Sequence, residues 1–562
     1  MTLRDDYASE LDYLYDHAGE LARKYPEDAP LLGRDASPAV SRLLESAAFV
    51  FARLRQRLDD DLPEVIHPVI ESILPSLLRP LPCATILELR PAPNMAAPLV
   101  VPAGAPFASR PIDGGPCIFR STSSADVRPW RLERVELQGE RRELRLGLVL
   151  NKGAKLDGLA RDSALRLFFA GPTPMALDAR SALLRGTREI LATDGAGRSV
   201  SLLPGTLAAV GPTLEETEHA EVVALRQYFA RPAFFAFVDV PHIDRAATLA
   251  AERGRLDIVL RLAAPVARSI RLDLDTVRLH CVPALNVQRL NDPLPLPVRG
   301  RRCPVVLPRP GAQVHTIGRV LVVGRDHKIR ETVPFAAFTP PIVDPDGAPQ
   351  TFHSIERRAS VLGHDPVVSL TFEGPHAEGA ENARVEVHVT DGERPEKLGV
   401  GDVSVSTPGS PSLVSFTNVT PVFRTLPPCF ERDRMWGWLQ LLKTPLQELT
   451  AREPLAACLA LANGPAWAAW PDSKPNADSF EPLADVRLLQ GGADQDVATS
   501  IAIDVRPEAF VGTGDLDLFG QVVQGLLAST LRPYESVSVQ LCDDDRVPLF
   551  EYAPIAGTRE GL

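Results

Sequence analysis

Apolar positions in the first eighty residues recur at three- and four-residue steps, the spacing of one face of an α-helix. Leu11, Leu14, Ala18, Leu21, Ala22 and Tyr25 form a first stripe, which Pro26 and Pro30 end. Ser37-Pro38 predicts a second helix, with Ser37 placed to cap free N–H groups and Pro38 where a missing N–H costs nothing. Its stripe runs through Val40, Leu43, Leu44, Ala47, Ala48, Phe51, Leu54 and Leu58, then stops in the acidic turn Leu58-Asp-Asp-Asp-Leu-Pro63. A third segment from Val65 to Leu78 is interrupted by Pro68 and Pro75 and leaves through Leu78-Arg-Pro-Leu-Pro82. This module carries more apolar face than three short helices need for one another. Two readings remain open: a self-contained helical subdomain, or a surface that docks a partner helix or the rest of the chain.

From Ala84 the period shortens to two. Ala84–Leu89, Leu132–Leu137, Leu144–Leu150, Ala164–Phe169, Leu256–Leu262, Ile270–Leu274 and Val385–Val389 read as strands, mostly antiparallel with one face on a core. Helices are expected near Met175–Leu184, Ala224–Phe229 and Trp436–Lys443. The tail alternates from Ala502 through Leu516–Phe519 before a helix over Gly520–Leu531 and a strand over Val537–Leu541. The pattern predicts an α+β multidomain chain: a helical module (1–83), two mainly antiparallel β-rich domains (84–240 and 241–430) and a small C-terminal α+β domain (431–562).

Composition adds limits. A chain of 562 residues accommodates about three or four domains. A formal net charge of −12 argues against a nucleic-acid or anionic-membrane grip. The 53 prolines, spread along the chain, imply many fixed turns. Seven scattered cysteines without close pairs predict reduced, buried thiols and a cytoplasmic setting. No secretory leader and no membrane-length apolar run stand out, so direct membrane insertion is not expected.

The common catalytic signatures are missing: no phosphate-binding glycine loop, dinucleotide fingerprint, His-Glu-x-x-His helix or Gly-x-Ser-x-Gly elbow occurs. His280, Cys281, Cys303 and His315 are the nearest approach to a metal set, but their spacing matches no zinc pattern and strand neighbours face opposite ways. Asp344-Pro-Asp-Gly347 lacks the downstream ligands of a calcium loop. Asp59–Asp61 and Asp543–Asp545 read as solvated element ends, and Arg299-Gly-Arg-Arg302 as a local ion-pairing or protein-contact cluster. No catalytic, cofactor-binding or metal residue is assigned.

Four ordered blocks of the opening resemble the TssF family (VasA/ImpG), a baseplate subunit of the bacterial type VI secretion system. They are the Tyr7 to Tyr25-Pro26 helix, Ser37-Pro-Ala-Val-Ser-Arg-Leu-Leu-Glu-Ser-Ala-Ala-Phe49, Leu58–Glu64 and Leu78-Arg-Pro-Leu-Pro82. Weaker similar blocks follow at Gln227-Tyr-Phe229, Leu279–Asn286, Thr425–Trp436 and Phe510-Val-Gly-Thr-Gly514. Departures occur as well: Asn286 is followed by Val-Gln, and Leu439–Pro445 replaces a family segment. The resemblance implies a contractile-phage wedge-like fold and a structural, non-enzymatic role without cofactors. It further implies TssG-like and TssK-like partners, another TssF copy, the VgrG hub and a sheath-initiating baseplate subunit. The alternatives are a wedge subunit of a phage-like or extracellular contractile machine, or a β-rich hydrolase or carbohydrate-binding protein. Interface positions are expected on surplus apolar faces: Leu11, Leu14, Leu21, Leu44, Phe51, Leu54, Trp436 and Trp438.

Overall fold

The computed structural model describes residues 7–8, 10–15, 38–59, 67, 69–71, 73–154, 163–194, 198–202, 206–212, 220–246, 249, 254–298, 302–323, 328–335, 351–359, 366–374, 381–428, 430, 432–441, 444–463, 482–490 and 498–558. The opening contains the 22-residue helix α1, Pro38–Asp59, which starts on its proline as expected. A short 3-10 turn, Pro75–Leu77, then delivers the chain to the first sheet.

That sheet is built on the strand Ala84–Pro91, whose first six residues are all buried. Cys281–Leu285 and Val414–Asn418 flank it, both antiparallel. Strand residues buried on both faces must satisfy their polar groups internally. Thr85 does so across the fold, through the Thr420 carbonyl and hydroxyl at 3.1 Å each. Stretches 84–240 and 241–430 therefore share a sheet.

Two further antiparallel sheets sandwich a core of Leu, Ile, Val and Phe residues. One runs Ser199–Ser201, Thr187–Thr193, Arg255–Leu262, Glu143–Leu150, Trp130–Gln138. The other runs Ala208–Val210, Phe237–Val240, Leu165–Phe169, Val277–Leu279. Helix α2, Thr173–Gly186, lends this core Ala176, Ala179 and Leu183, and directs Leu177 into another. Helix α3, Ala220–Ala230, is buried over most of its length.

His280 is where the chain changes sheets. It sits between the strands Val277–Leu279 and Cys281–Leu285 with a left-handed φ of 52°, a conformation in which His is enriched. A separate core forms where Gln313–Val323 pairs with Asn382–Thr390.

Helix α4, Arg432–Leu441, packs on helix α5, Arg452–Ala462, and both share with helix α6, Thr513–Ala528, a core that also holds Ile70, Leu74, Leu77 and Leu78. The stretches 1–83, 84–240 and 431–562 thus contribute to one core. Behind α6 lies a sheet of Leu483–Gln490, Thr499–Val505, Ser536–Cys542 and Pro548–Ala556, its central pair parallel.

The fold class expected from the pattern stands, with two local corrections. Ile270–Leu274 is no strand: residues 270–272 are irregular and the chain turns at Asp273, whose carboxylate accepts the backbone N–H groups of Asp275 at 2.9 Å and Thr276 at 3.0 Å. Leu516–Phe519 belongs to α6, which starts seven residues before the expected Gly520. Among the described residues no helix is long and apolar enough to cross a membrane.

Candidate interaction surface

Helix α1 has two unlike faces. Ala48 and Ala52 are fully covered, while Leu43 and Val50 are 68% and 61% exposed. Leu43 and Val50 lie seven residues apart and so share a face, nearly opposite the two alanines. Phe49 and Phe51 are also exposed. One side of α1 is therefore apolar and uncovered.

Of the residues singled out from sequence, Phe51 lies on this uncovered helix. Leu11, Leu14 and Leu44 are half-buried. Leu21 and the side chain of Leu54 lie outside the described residues. Trp436 and Trp438 part company: Trp436 is 47% exposed, and Trp438 is 1% exposed inside the helical core. Two residues along a helix point about 200° apart, so one ring faces out and the other packs in. Trp438 holds the subunit together and offers no outward surface.

The helices of the C-terminal core are pinned by polar groups. Arg434 donates from one Nη2 to the carbonyls of Ala460, Leu461 and Asn463 at 3.2, 2.6 and 3.3 Å, satisfying the end of α5. Asp517 on α6 has no exposed side-chain surface. It accepts from Ser181 Oγ at 2.6 Å, Arg185 Nε at 2.9 Å and Arg185 Nη2 at 2.6 Å. Burial pushes its carboxyl up, but the Arg185 hydrogen bonds and charge, helped by Ser181, outweigh that and leave it below its ordinary value. Arg185 also lies over the rings of Phe550 and Tyr552 at 4.6 and 4.7 Å. Asp515, two residues earlier, accepts the Val511 N–H at 3.1 Å and the Tyr228 hydroxyl at 3.1 Å, so it joins α3 to the start of α6.

Sequence reasoning missed both aspartates. The available signal was Gly512-Thr-Gly-Asp515 ahead of an apolar run, an acidic first turn.

The residues considered for metal binding are dispersed. His280 Nε2 accepts the Arg128 backbone N–H at 3.2 Å, and burial, with the Arg128 charge nearby, pushes it down to about 3. Cys281 turns its thiol to the Leu279 carbonyl at 3.5 Å, and burial raises it well above its ordinary value. Among the described residues no three His, Cys, Asp or Glu side chains converge to hold a metal. Asp543 accepts the Val547 N–H at 2.8 Å within a turn. Arg302 pairs with Glu356 at 2.9 Å. Asp344–Gly347, Asp60, Asp61 and residues 299–301 lie outside the described residues.

Layered antiparallel sheets, helices tied through the buried Asp517 carboxylate and one long helix with an uncovered apolar face are the architecture of a multidomain α+β protein without a gathered catalytic or metal centre among the described residues. The family model for "Type VI secretion system, TssF" matches residues 1–559, and the chain belongs to that family. The type VI secretion system component TssF1 of Pseudomonas aeruginosa strain PAO1 is 26% identical over 276 residues, which span 43% of this chain and 44% of that relative. The chain therefore aligns with less than half the length of that curated relative. Among solved structures it is similar to a chain of the type VI secretion system TssK-TssF-TssG baseplate subcomplex seen by cryo-electron microscopy. That match has a TM-score of 0.75 and 20% identity, and covers 92% of this chain and 99% of the other. A chain of the baseplate complex from the type VI secretion system matches with a TM-score of 0.64 and 20% identity, over 99% and 100% of the two chains. At these identities the likeness is one of fold.

Proposed function

We propose that this protein is a structural subunit of the type VI secretion system baseplate wedge. In this reading it assembles with TssG-like and TssK-like subunits and a second copy of itself around a VgrG hub, in the cytoplasm, and meets a sheath-initiating subunit. The wedge then supports polymerisation of tube and sheath. Its work is done by interfaces that rearrange between assembly states and involves no bond chemistry. The observation that carries the reading is the uncovered apolar face of α1, presented by a chain whose fold matches a subunit of baseplate complexes.

Co-expression with the neighbouring TssG- and TssK-like proteins tests it. The wild-type chain is expected to co-purify with both. Leu43→Asp and Phe51→Asp, at positions 68% and 47% exposed, should leave the free chain folded and abolish co-purification. A monomeric wild-type chain that binds neither protein defeats the proposal. Folded variants that still form the wedge remove α1 from its interface.

A further inference from the structure

Between the last turn of the helical opening and the first sheet lies a cavity of about 400 Å3, within the range of ligand pockets. Five arginines line it: Arg79, Arg120, Arg226, Arg231 and Arg289. Its described lining contains no aspartate or glutamate. Leu74, Leu81, Leu285 and Val287 supply an apolar wall.

How these cations are held separates them into groups. Glu71 takes Arg79 at 3.1 Å, and Glu386 takes Arg289 at 2.7 Å. Arg120 Nη1 instead donates to the Gly104 carbonyl at 2.8 Å. Arg231 donates to the carbonyls of Pro82 and Arg424. Among the described residues neither Arg120 nor Arg231 meets a carboxylate. Arg231 is completely buried, and that burial lowers its guanidinium to about 10. Its Nε and Nη1 find no acceptor among the described residues. Gln227, 1% exposed and on the same wall, has both amide atoms without a partner there. A buried cation without a counter-charge, beside a buried amide without partners, is strongly unfavourable until an acceptor arrives.

His315 does not add to the charge. Burial, then the Arg79 and Arg357 cations, push His315 down to about 3, so it is neutral near pH 7. The cavity's field comes from its arginines.

We propose that this cavity receives an acidic–apolar segment of a partner protein, whose carboxylate meets Arg120, Arg231 and Gln227 while an adjacent aliphatic side chain lies on Leu74, Leu81 and Leu285. The mixed wall selects this occupant: a bare inorganic anion would leave the apolar side uncovered, and an uncharged chain would leave Arg231 unpaired. Residues 73–82 of the wall continue the helical opening, so the site adjoins the docking module. Only the source of the segment rests on the assembly reading; the chemistry of the site does not.

Calorimetric titration of the full-length chain with N-acetyl-Leu-Glu-Leu-amide, its Gln counterpart and inorganic phosphate tests this. The Glu peptide is expected to bind about tenfold or more tightly than the Gln peptide. Gln227→Leu and Arg120→Met should each weaken the Glu peptide by about tenfold. Gln227→Leu should also raise the melting temperature, because an apolar side chain of similar volume replaces a buried amide without partners; this checks that the variant folds. Equal affinity for the two peptides, or no heat from either at about 10 mM, overturns the proposal. So does phosphate binding as tightly as the Glu peptide, which would reduce the cavity to a bare anion site. If peptide discrimination fails while the wild-type chain still co-purifies with its partners, this inference falls and the scaffold reading stands. If co-purification fails while discrimination persists, the reverse holds.

Discussion

Replacing Asp517 by alanine should loosen the contact between α2 and α6 without touching the uncovered face of α1. The carboxylate has no exposed surface and gathers Ser181 Oγ, two Arg185 nitrogens and, at 3.2 Å, the Tyr552 hydroxyl. Removing one partner of a buried ion pair costs about 3–5 kcal/mol. Arg185 is 34% exposed and can turn partly to water, which places the loss at the lower end, about 3 kcal/mol. Arg180, 1% exposed, has its buried charge offset mainly by Asp517 and adds to the loss. Asp517→Asn keeps an acceptor and discards the charge, so about half the effect is expected. Hydrogen exchange of the α6 amides measures it: about 3 kcal/mol is roughly a hundredfold faster opening. If both variants exchange within about 0.5 kcal/mol of the wild type, the ion pair does not hold these helices together.

Three other outcomes follow from burial. In the folded chain His280 and His315 are pushed down to about 3 and His353 to about 4, against about 6.5 when unfolded. Their neutral forms therefore contribute stability that is complete above pH of about 6.5 and is lost as pH falls toward the folded values, at up to about 1.4 kcal/mol per pH unit each. Unfolding titrations between neutral and mildly acid pH should show that slope, and His280→Asn, tolerated at a left-handed φ, should make it shallower; an unchanged slope counts against a neutral buried His280. Burial pushes the Cys83 and Cys458 thiols up to about 12 and the Cys117 thiol up to about 11, so alkylation mapped by mass spectrometry should find all three unmodified until denaturant is added. Labelling of Cys83 in the native chain contradicts its placement. Finally, a Cβ at Gly514 would overlap the Leu177 and Asp178 backbone, so Gly514→Ala should cost at least about 1–3 kcal/mol, read as a lower thermal midpoint; a neutral substitution would mean that α2 and α6 do not approach so closely.

What the sequence disclosed and what it hid divide by range. Ala84–Leu89, Leu144–Leu150 and Val385–Val389 were legible because a period of two is a local property, and the structure pairs all three into sheets. The start of α6 was misjudged because Leu516-Asp-Leu-Phe519 alternates like a strand, while its aspartates answer to distant groups: Tyr228 for Asp515, Ser181 and Arg185 for Asp517. Ile270–Leu274 failed for the opposite reason, since a single side chain, Asp273, turns the chain inside an alternating run.

The same division explains the two candidate surfaces. The α1 face was readable because three- and four-residue steps count apolar positions beyond what the module needs; which of those positions stay uncovered is decided by packing. Trp436 and Trp438 look alike in sequence, yet only helix phase against α5 buries the second: a Cβ on Gly437 would already press on Leu461. The arginine-lined cavity had no signature at all. Arg79, Arg120, Arg231 and Arg289 are scattered over more than two hundred residues of sequence, and Gln227 matters only because the fold leaves its amide without a partner among the described residues. On the scaffold reading proposed above, functional information lies in unmet valence: apolar surface without cover and buried polar groups without partners. The first can be counted along a helix from its spacing. The second comes into existence only when the distant stretches meet.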